Sequence, residues 1–326
     1  MTRGIEPDDI SRLTAQLPGL IDPATPATLL ALLRLLYGVG RTDLPLGRVF
    51  EGHVDALQII TRLGTAAQAR LAEDAARGGG IFGVWNADLL GDPLRLNGDR
   101  LSGGKAFASG AGLLSHALVS VDLENGRQLL LIDLTALPPA IDTGWWHVTG
   151  MQRSETHQVR WDTLLPPGAK VGQPGDYMRE PWFSGGALRF AAVQAGGIAG
   201  VVDRVRDHLV AAGRASDPYQ AARLAELHLG AQSAADAVAR AAQLWRNDAI
   251  ELTLANVAAA RVAVYQAGER VLTLAQAAVG VQAMFVDHPL SAMLSDLNVY
   301  LRQPAPDAQR ARLGAAAAAG VISPSL

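Results

Sequence analysis

The chain lacks cysteine altogether, which excludes disulfides, thiolate metal sites and cysteine nucleophiles. Aromatic residues make up only 5% of the 326 residues while alanine is abundant, a composition typical of closely packed helices. Because no stretch reaches eighteen uninterrupted apolar residues, we expect no membrane span. The N-terminal segment MTRGIEPDDISRL lacks the apolar region of a secretory signal, so we expect a cytoplasmic protein.

Other classes of site are also disfavoured. A formal net charge of −3 offers no electrostatic case for binding nucleic acid. The seven histidines form neither an HxH nor an HExxH pattern, so we expect no metal site. There is no phosphate-binding glycine loop and no nucleophile elbow of the GxSxG type.

Three regions follow one another along the chain. Helical periodicity holds up to the glycines at 78–80. Short apolar or alternating runs separated by turn residues follow, and long Ala/Val/Leu-rich helical segments begin after VGQPGDY at 171–177. The pattern predicts a mainly α fold with a β insert. We expect an N-terminal helical domain over 1–80, a small β-barrel or sandwich over 81–170, and a C-terminal four-helix bundle over 171–326.

One segment of the β region is unusual in its side chains. LSGGKAFASGAG, residues 101–112, places one aromatic ring, Phe107, in a run of Gly, Ala and Ser. Small residues let a backbone approach a flat ligand closely. The alternative is a tight hairpin with glycines at its bends and Phe107 as an ordinary core ring.

The sequence resembles the acyl-CoA dehydrogenase superfamily, as a divergent and shortened member, over roughly residues 45–310. The resemblance rests on five segments in the family's order: LGTAAQ at 63–68, LSGGKAFASGAG at 101–112, GMQRS at 150–154, VRWD with Pro166 at 159–166, and DHPL followed by Asp296-Leu297 at 287–297. No single segment is specific, but their order and spacing together are.

The resemblance implies a flavin site. In the family, the aromatic residue after the hairpin lysine packs on the flavin ring and a hydroxyl two residues later reaches toward it, which here are Phe107 and Ser109. The family's TEP turn corresponds to Ala87-Asp88-Leu89, so the threonine hydroxyl is missing. Trp85 and Asn86 beside it are then candidates to wall the pocket and donate hydrogen bonds, although Trp85 equally suits the barrel core.

An arginine that reaches the flavin diphosphate of a neighbouring subunit corresponds to Arg214, without the "FG" that follows it in the family. A guanidinium suits a diphosphate because it forms paired charged hydrogen bonds. The alternative is that Arg214 caps the carbonyls of a helix end.

The family's catalytic glutamate is absent. Its usual position falls near Pro304 and its alternative position near Leu188, and neither has an acid. The nearest carboxylates are Asp307 and Glu180, which are candidate bases or solvated caps. The late "RD" of the family is Ser295-Asp296.

The resemblance therefore implies a flavin-dependent oxidoreductase that oxidises an acyl-thioester or related small substrate by hydride transfer. Two alternatives stay open: a flavin oxidase or monooxygenase, and a non-catalytic paralogue acting as a partner subunit. FAD is the expected cofactor, ahead of FMN. Long helices with little polar face, such as 248–281, predict a homodimer or homotetramer.

Overall fold

The computed structural model describes residues 3–303 and 305–324. Its helices are α1 (Pro7–Thr14), α2 (Pro26–Thr42), α3 (Leu44–Leu63), α4 (Ala66–Arg77), α5 (Trp182–Gly185), α6 (Ala187–Ala211), α7 (Pro218–Gln243), α8 (Ile250–Val279), α9 (Pro289–Tyr300) and α10 (Pro306–Ala318). Its strands are β1 (Phe82–Trp85), β2 (Arg95–Asn97), β3 (Arg100–Ala108), β4 (His116–Leu123), β5 (Gly126–Asp133), β6 (Ala140–Asp142), β7 (His157–Leu164) and β8 (Lys170–Val171). The predicted order of helices, β insert and helices is confirmed.

Side-chain caps begin several of the helices. The hydroxyl of Thr65 accepts from the backbone N–H of Gln68, and the Gln68 side chain accepts from the Thr65 N–H in return. Asp217 caps α7 by accepting from the N–H groups of Tyr219 and Gln220. These contacts satisfy donors that the first turn of a helix leaves without partners.

The first of two compact units comprises the chain up to Asp22, residues 48–147 and residues 152–183. It holds two four-stranded sheets, ordered β1-β4-β5-β8 and β2-β3-β7-β6. β1 pairs in parallel with β4, and the other strand pairs are antiparallel. Residues of both sheets share one apolar core, in which the rings of Trp85 and Trp161 lie 6.1 Å apart.

A buried histidine joins helices to sheet in this unit. His53 of α3 is fully buried, and its Nδ1 accepts from the backbone N–H of Phe82 at 3.1 Å. Its Nε2 therefore carries the proton and donates to the Thr14 hydroxyl at 3.1 Å. Burial lowers the pKa of His53 from 6.5 to about 4, so the ring is neutral at pH 7.

The second unit comprises residues 23–47, 148–151 and the chain from Ser184 onward. It is a helical bundle in which α6 packs against α2, α7, α8 and α9. The backbones of α2 and α6 approach closely at glycines. A Cβ built on Gly196 would lie 2.1 Å from the carbonyl oxygen of Tyr37, and one on Gly40 2.1 Å from that of Val193. Only glycine permits this crossing.

The stretch Trp182–Ala211 is, in the part of the chain that the structure describes, long and apolar enough to cross a membrane by length and composition. However, 78% of its most apolar window is buried inside the protein. That burial is typical of the central helix of a packed bundle.

The α2–α6 crossing predicts a sharp contrast between two glycines. Gly196→Ala should lower the free energy of unfolding by about 3 kcal/mol, because the added methyl meets backbone that side chains cannot vacate. Gly38→Ala on the open face of α2, where nothing lies within 4 Å, should raise it by about 0.5–1 kcal/mol through helix propensity. Urea denaturation of both variants measures the difference. Equal effects would show that the crossing is looser than described.

The neutral His53 predicts acid sensitivity. As pH falls from 6.5 to about 4, His53 becomes protonated in the unfolded chain but stays neutral in the folded chain. The free energy of unfolding therefore decreases as pH decreases. The size of this loss is about 3 kcal/mol. Urea denaturation at several pH values should show it in the wild type and in His147→Gln, an exposed control. This loss of stability with falling pH should be absent from His53→Gln. If the pH profile of His53→Gln is parallel to that of the wild type, the attribution of the loss to His53 is wrong.

Candidate functional site

The backbone of β3 turns Phe107 outward. Its register with β7 shifts between Lys105 and Ala108, and Phe107 adopts a φ of 53°, which is rare for a residue with a side chain. The ring is 50% exposed although the residues from Gly104 to Ala111 on either side of it are buried. A bulge with a left-handed residue re-aims a side chain, so Phe107 is not a core ring.

Two tryptophans stand beside this ring. Trp145 lies 4.9 Å from Phe107 between centroids with an interplanar angle of 80°, and Trp146 lies at 6.3 Å with 87°. The two indoles stack on each other at 5.9 Å. We call Phe107, Trp145 and Trp146 the aromatic corner. Edge-to-face contacts of this kind hold the rings in place, while the Phe107 ring stays half-exposed.

A chain of hydroxyls begins at Ser109, two residues after Phe107. The Thr156 hydroxyl donates to Ser109 Oγ at 3.0 Å and lies 2.7 Å from Ser154 Oγ. Ser109 is also fixed through its carbonyl, which accepts from the Trp85 indole at 3.0 Å. Trp85 itself is 1% exposed. It therefore positions the hairpin from the core side.

Hydrogen bonds join the turn after β1 to β3. The Asn86 side-chain Nδ2 lies 2.6 Å from the Tyr177 hydroxyl, and its Oδ1 is buried with no hydrogen-bond partner in the residues the structure describes. The Ala87 carbonyl accepts from the Ala106 N–H at 2.9 Å. Ala87 is exposed, so this turn presents little side-chain bulk next to an unsatisfied acceptor.

The buried ammonium of Lys105 in β3 also bonds to this turn. Lys105 is 0% exposed, and its Nζ donates to Asp88 Oδ1 at 2.6 Å, to the Asn86 carbonyl at 3.1 Å and to Ser120 Oγ at 3.2 Å. Burial lowers the pKa of Lys105, and the hydrogen bond and charge of Asp88 act in the opposite direction. The three donors of the ammonium thus meet three oxygens.

No protein-family model and no curated protein matches the sequence. Solved structures do match it along nearly the whole chain. The chain has the acyl-CoA dehydrogenase fold. Butyryl-CoA dehydrogenase from Megasphaera elsdenii is 15% identical, with a TM-score of 0.72 over 98% of this chain and 100% of that one.

Two monooxygenases share this fold. Methanesulfinate monooxygenase MsuC from Pseudomonas fluorescens is 17% identical, with a TM-score of 0.78 over 98% of this chain and 99% of that one. TdsC from Paenibacillus sp. A11-2, a dibenzothiophene monooxygenase solved with FMN and indole, is 16% identical, with a TM-score of 0.75 over 95% and 96%. At such identities the likeness establishes the fold alone.

Five of the residues predicted from the sequence lie within one part of the first unit: Trp85, Asn86, Ala87, Phe107 and Ser109. Pro304, the usual position of the family's glutamate, lies outside the described residues. Glu180 is half-buried in the first unit, between Met178 and α5. Asp307 and Arg214 belong to the second unit.

The two residues in the second unit are exposed. The side chain of Asp307 is 90% exposed in the first turn of α10 and forms an ion pair with Arg310 at 2.7 Å. Arg214 follows the end of α6, where its N–H donates to the Leu209 carbonyl at 2.8 Å. The alternative position of the glutamate, Leu188, is 1% exposed and apolar.

Sequence reasoning missed Trp145, Trp146, Tyr177 and the role of Lys105. A signal was available for some of them. The tryptophan doublet stands out in a chain with only 5% aromatic residues. Lys105 is one of two lysines among 28 Lys and Arg residues, the other being Lys170. Nothing in the sequence brings Tyr177 next to Asn86, which are 91 residues apart.

The outward ring predicts an unusual stability effect. Replacing Phe107 by glycine removes ring contacts worth about 0.5–1.5 kcal/mol and relieves a left-handed backbone that costs about 1–2 kcal/mol. The free energy of unfolding should therefore stay within about 1 kcal/mol of the wild type. Phe82→Ala, at a fully buried position of the same unit, should lose about 3–5 kcal/mol. A loss of that size in Phe107→Gly would make Phe107 a core residue.

Proposed function

We propose that the chain is a flavin-dependent oxidoreductase. One arrangement carries the proposal: the exposed Phe107 ring occurs together with the buried Asn86 Oδ1, which has no hydrogen-bond partner among the described residues. Lys105 lies two residues before Phe107 and donates to the Asn86 carbonyl, so it joins the two segments. A flavin ring is flat and apolar over its faces and polar along one edge. An aromatic wall and one fixed polar acceptor suit that shape.

The residues present fit such a group. The rings of Phe107, Trp145 and Trp146 would pack against a flat face of the flavin ring. Ser109 and Asn86 would supply polar contacts to it. The segment from Ala108 to Gly112 carries only small side chains, which leaves room for the ring. Trp85 would hold the hairpin by donating its indole N–H to the Ser109 carbonyl, and Ala87 by accepting from the Ala106 N–H at its carbonyl. When bound, a flavin accepts a hydride and, once reduced, reacts with dioxygen.

Within this class we favour an oxidase or monooxygenase over an acyl-thioester dehydrogenase. Removal of the proton next to a thioester needs a positioned base, and neither Pro304 nor Leu188 supplies one. Asp307 is nearly fully exposed and paired with Arg310, a setting typical of a surface ion pair. Glu180, which is half-buried, is the better candidate base. The monooxygenases TdsC and MsuC show that the same fold serves oxygen chemistry.

The cofactor form and the assembly are linked in this proposal. FAD carries a diphosphate that FMN lacks, and we propose that Arg214 of a second copy contacts it. Arg214 is exposed, as such a contact across an interface requires. Exposed apolar side chains at Val281, Met284, Phe285 and Val286 are consistent with the proposed homodimer or homotetramer.

The absorption spectrum of the purified protein tests the proposal first, before and after incubation with FMN or FAD. We expect visible flavin absorption that stays with the protein through gel filtration, and dioxygen consumption when the bound flavin is reduced. If Arg214 contacts the diphosphate, Arg214→Ala weakens FAD binding without changing FMN binding, while Arg77→Ala changes neither. A colourless protein that retains neither flavin would refute the proposal and favour the non-catalytic paralogue.

A further inference from the structure

Lys105 is an exception among the basic residues of this chain. Of 28 Lys and Arg residues only Lys105 and Lys170 are lysines, and Lys170 is exposed while Lys105 is fully buried. A guanidinium has five donors in a planar fork, whereas an ammonium is compact and has three. The three oxygens around Lys105 Nζ therefore match a lysine and would leave donors of an arginine unpaired.

Two of those oxygens belong to the turn that follows β1. Nζ donates to the carbonyl of Asn86 and to the carboxylate of Asp88, and the third oxygen, Ser120 Oγ, itself donates to the Asn86 carbonyl at 3.3 Å. The Asn86 carbonyl thus accepts two hydrogen bonds. Because a buried charge without partners is strongly unfavourable, a movement of the turn that removes two of the three oxygens around Nζ is disfavoured.

The side chain of Asn86 is held from the other end. Its Nδ2 lies 2.6 Å from the Tyr177 hydroxyl, so Oδ1 is the end of the amide that lacks a partner among the described residues. A buried polar atom left without a hydrogen bond is destabilising, because it has lost its contact with water and gained no other partner. A ligand that donates to Oδ1 recovers this energy, and such an atom points to an N–H group of the ligand.

We infer that Lys105 is a positioning residue that holds Asn86 Oδ1 ready to accept a hydrogen bond from the imide N–H of a flavin ring. The inference rests on the proposed function, because it names the contact that selects the cofactor. An imide N–H flanked by two carbonyls is the single N–H on the polar edge of an oxidised flavin ring. Asn86 would then supply the polar contact at a turn that has alanine where the family has threonine.

The test is a double-mutant cycle on flavin affinity. Dissociation constants for FMN and FAD are measured by fluorescence titration for the wild type, Asn86→Ala, Lys105→Met, the double variant, and Lys170→Met as the matched lysine control. Removing one buried hydrogen bond of about 1.4 kcal/mol corresponds to about 10-fold weaker binding. We expect about that loss in each single variant, no further loss in the double variant, and no change in Lys170→Met.

A flavin methylated at the imide nitrogen provides a second readout that a structural role alone would not change. Such a flavin has no N–H to donate, so the wild type and Asn86→Ala should bind it equally. Losses that multiply in the double variant, or an Asn86→Ala variant that discriminates the methylated flavin as strongly as the wild type does, overturn the inference.

A milder variant covers the case in which Lys105→Met does not fold. Tyr177→Phe removes the hydroxyl beside Asn86 and leaves the buried ammonium intact, and it should weaken flavin binding several-fold in the wild type but not in Asn86→Ala. If Tyr177→Phe and Asn86→Ala both bind flavin as tightly as the wild type, the inference is overturned but the proposed function is not. A wild-type chain that binds neither flavin overturns the proposed function, and the inference with it.

Discussion

The candidate site depends on one buried charge. Lys105 has no contact with solvent, yet its three hydrogen bonds are all made within 3.2 Å to oxygens of two other segments of the same unit. A buried ammonium tolerates no loss of partners, so the turn at Asn86–Asp88 and strand β3 are held in one arrangement. That arrangement leaves Asn86 Oδ1 without a hydrogen-bond partner among the residues that the structure describes.

Strain and exposure occur together at Phe107. A left-handed φ of 53° is unfavourable for phenylalanine, and half-exposure of its ring forgoes much of the stabilisation that burial would bring. Ala106 and Ala108 on either side of it are small and buried, so in this part of β3 the exposed side chain is the Phe107 ring. Local strain that the surrounding structure maintains is characteristic of binding surfaces. Phe107 in this chain fits that description better than it fits a core ring.

Much of the candidate site was predictable because its members are close in sequence. Phe107 and Ser109 belong to the hairpin at 101–112, and Trp85, Asn86 and Ala87 are consecutive residues at the end of a strand. Periodicity and turn residues locate the strands and turns of such segments, and the resemblance to the acyl-CoA dehydrogenase superfamily then singles out these residues within them. Trp145 and Trp146 come from a loop and Tyr177 from the three-residue 3₁₀ helix Asp176–Met178. Neither segment carries a periodic pattern, and only folding brings them to Phe107 and Asn86.

The sequence by itself determined the order of helices, β insert and helices, the caps such as Thr65, and the small-residue hairpin with its single ring, because these features depend on local periodicity and local hydrogen bonds. Tertiary structure alone decided that His53 is buried and neutral and that Phe107 faces outward. It also decided that the Lys105 ammonium is shared between Asn86, Asp88 and Ser120. Whether a side chain is buried, and which groups it bonds to, depends on segments that are distant in the chain. The spacing of residues along one segment therefore does not predict either property.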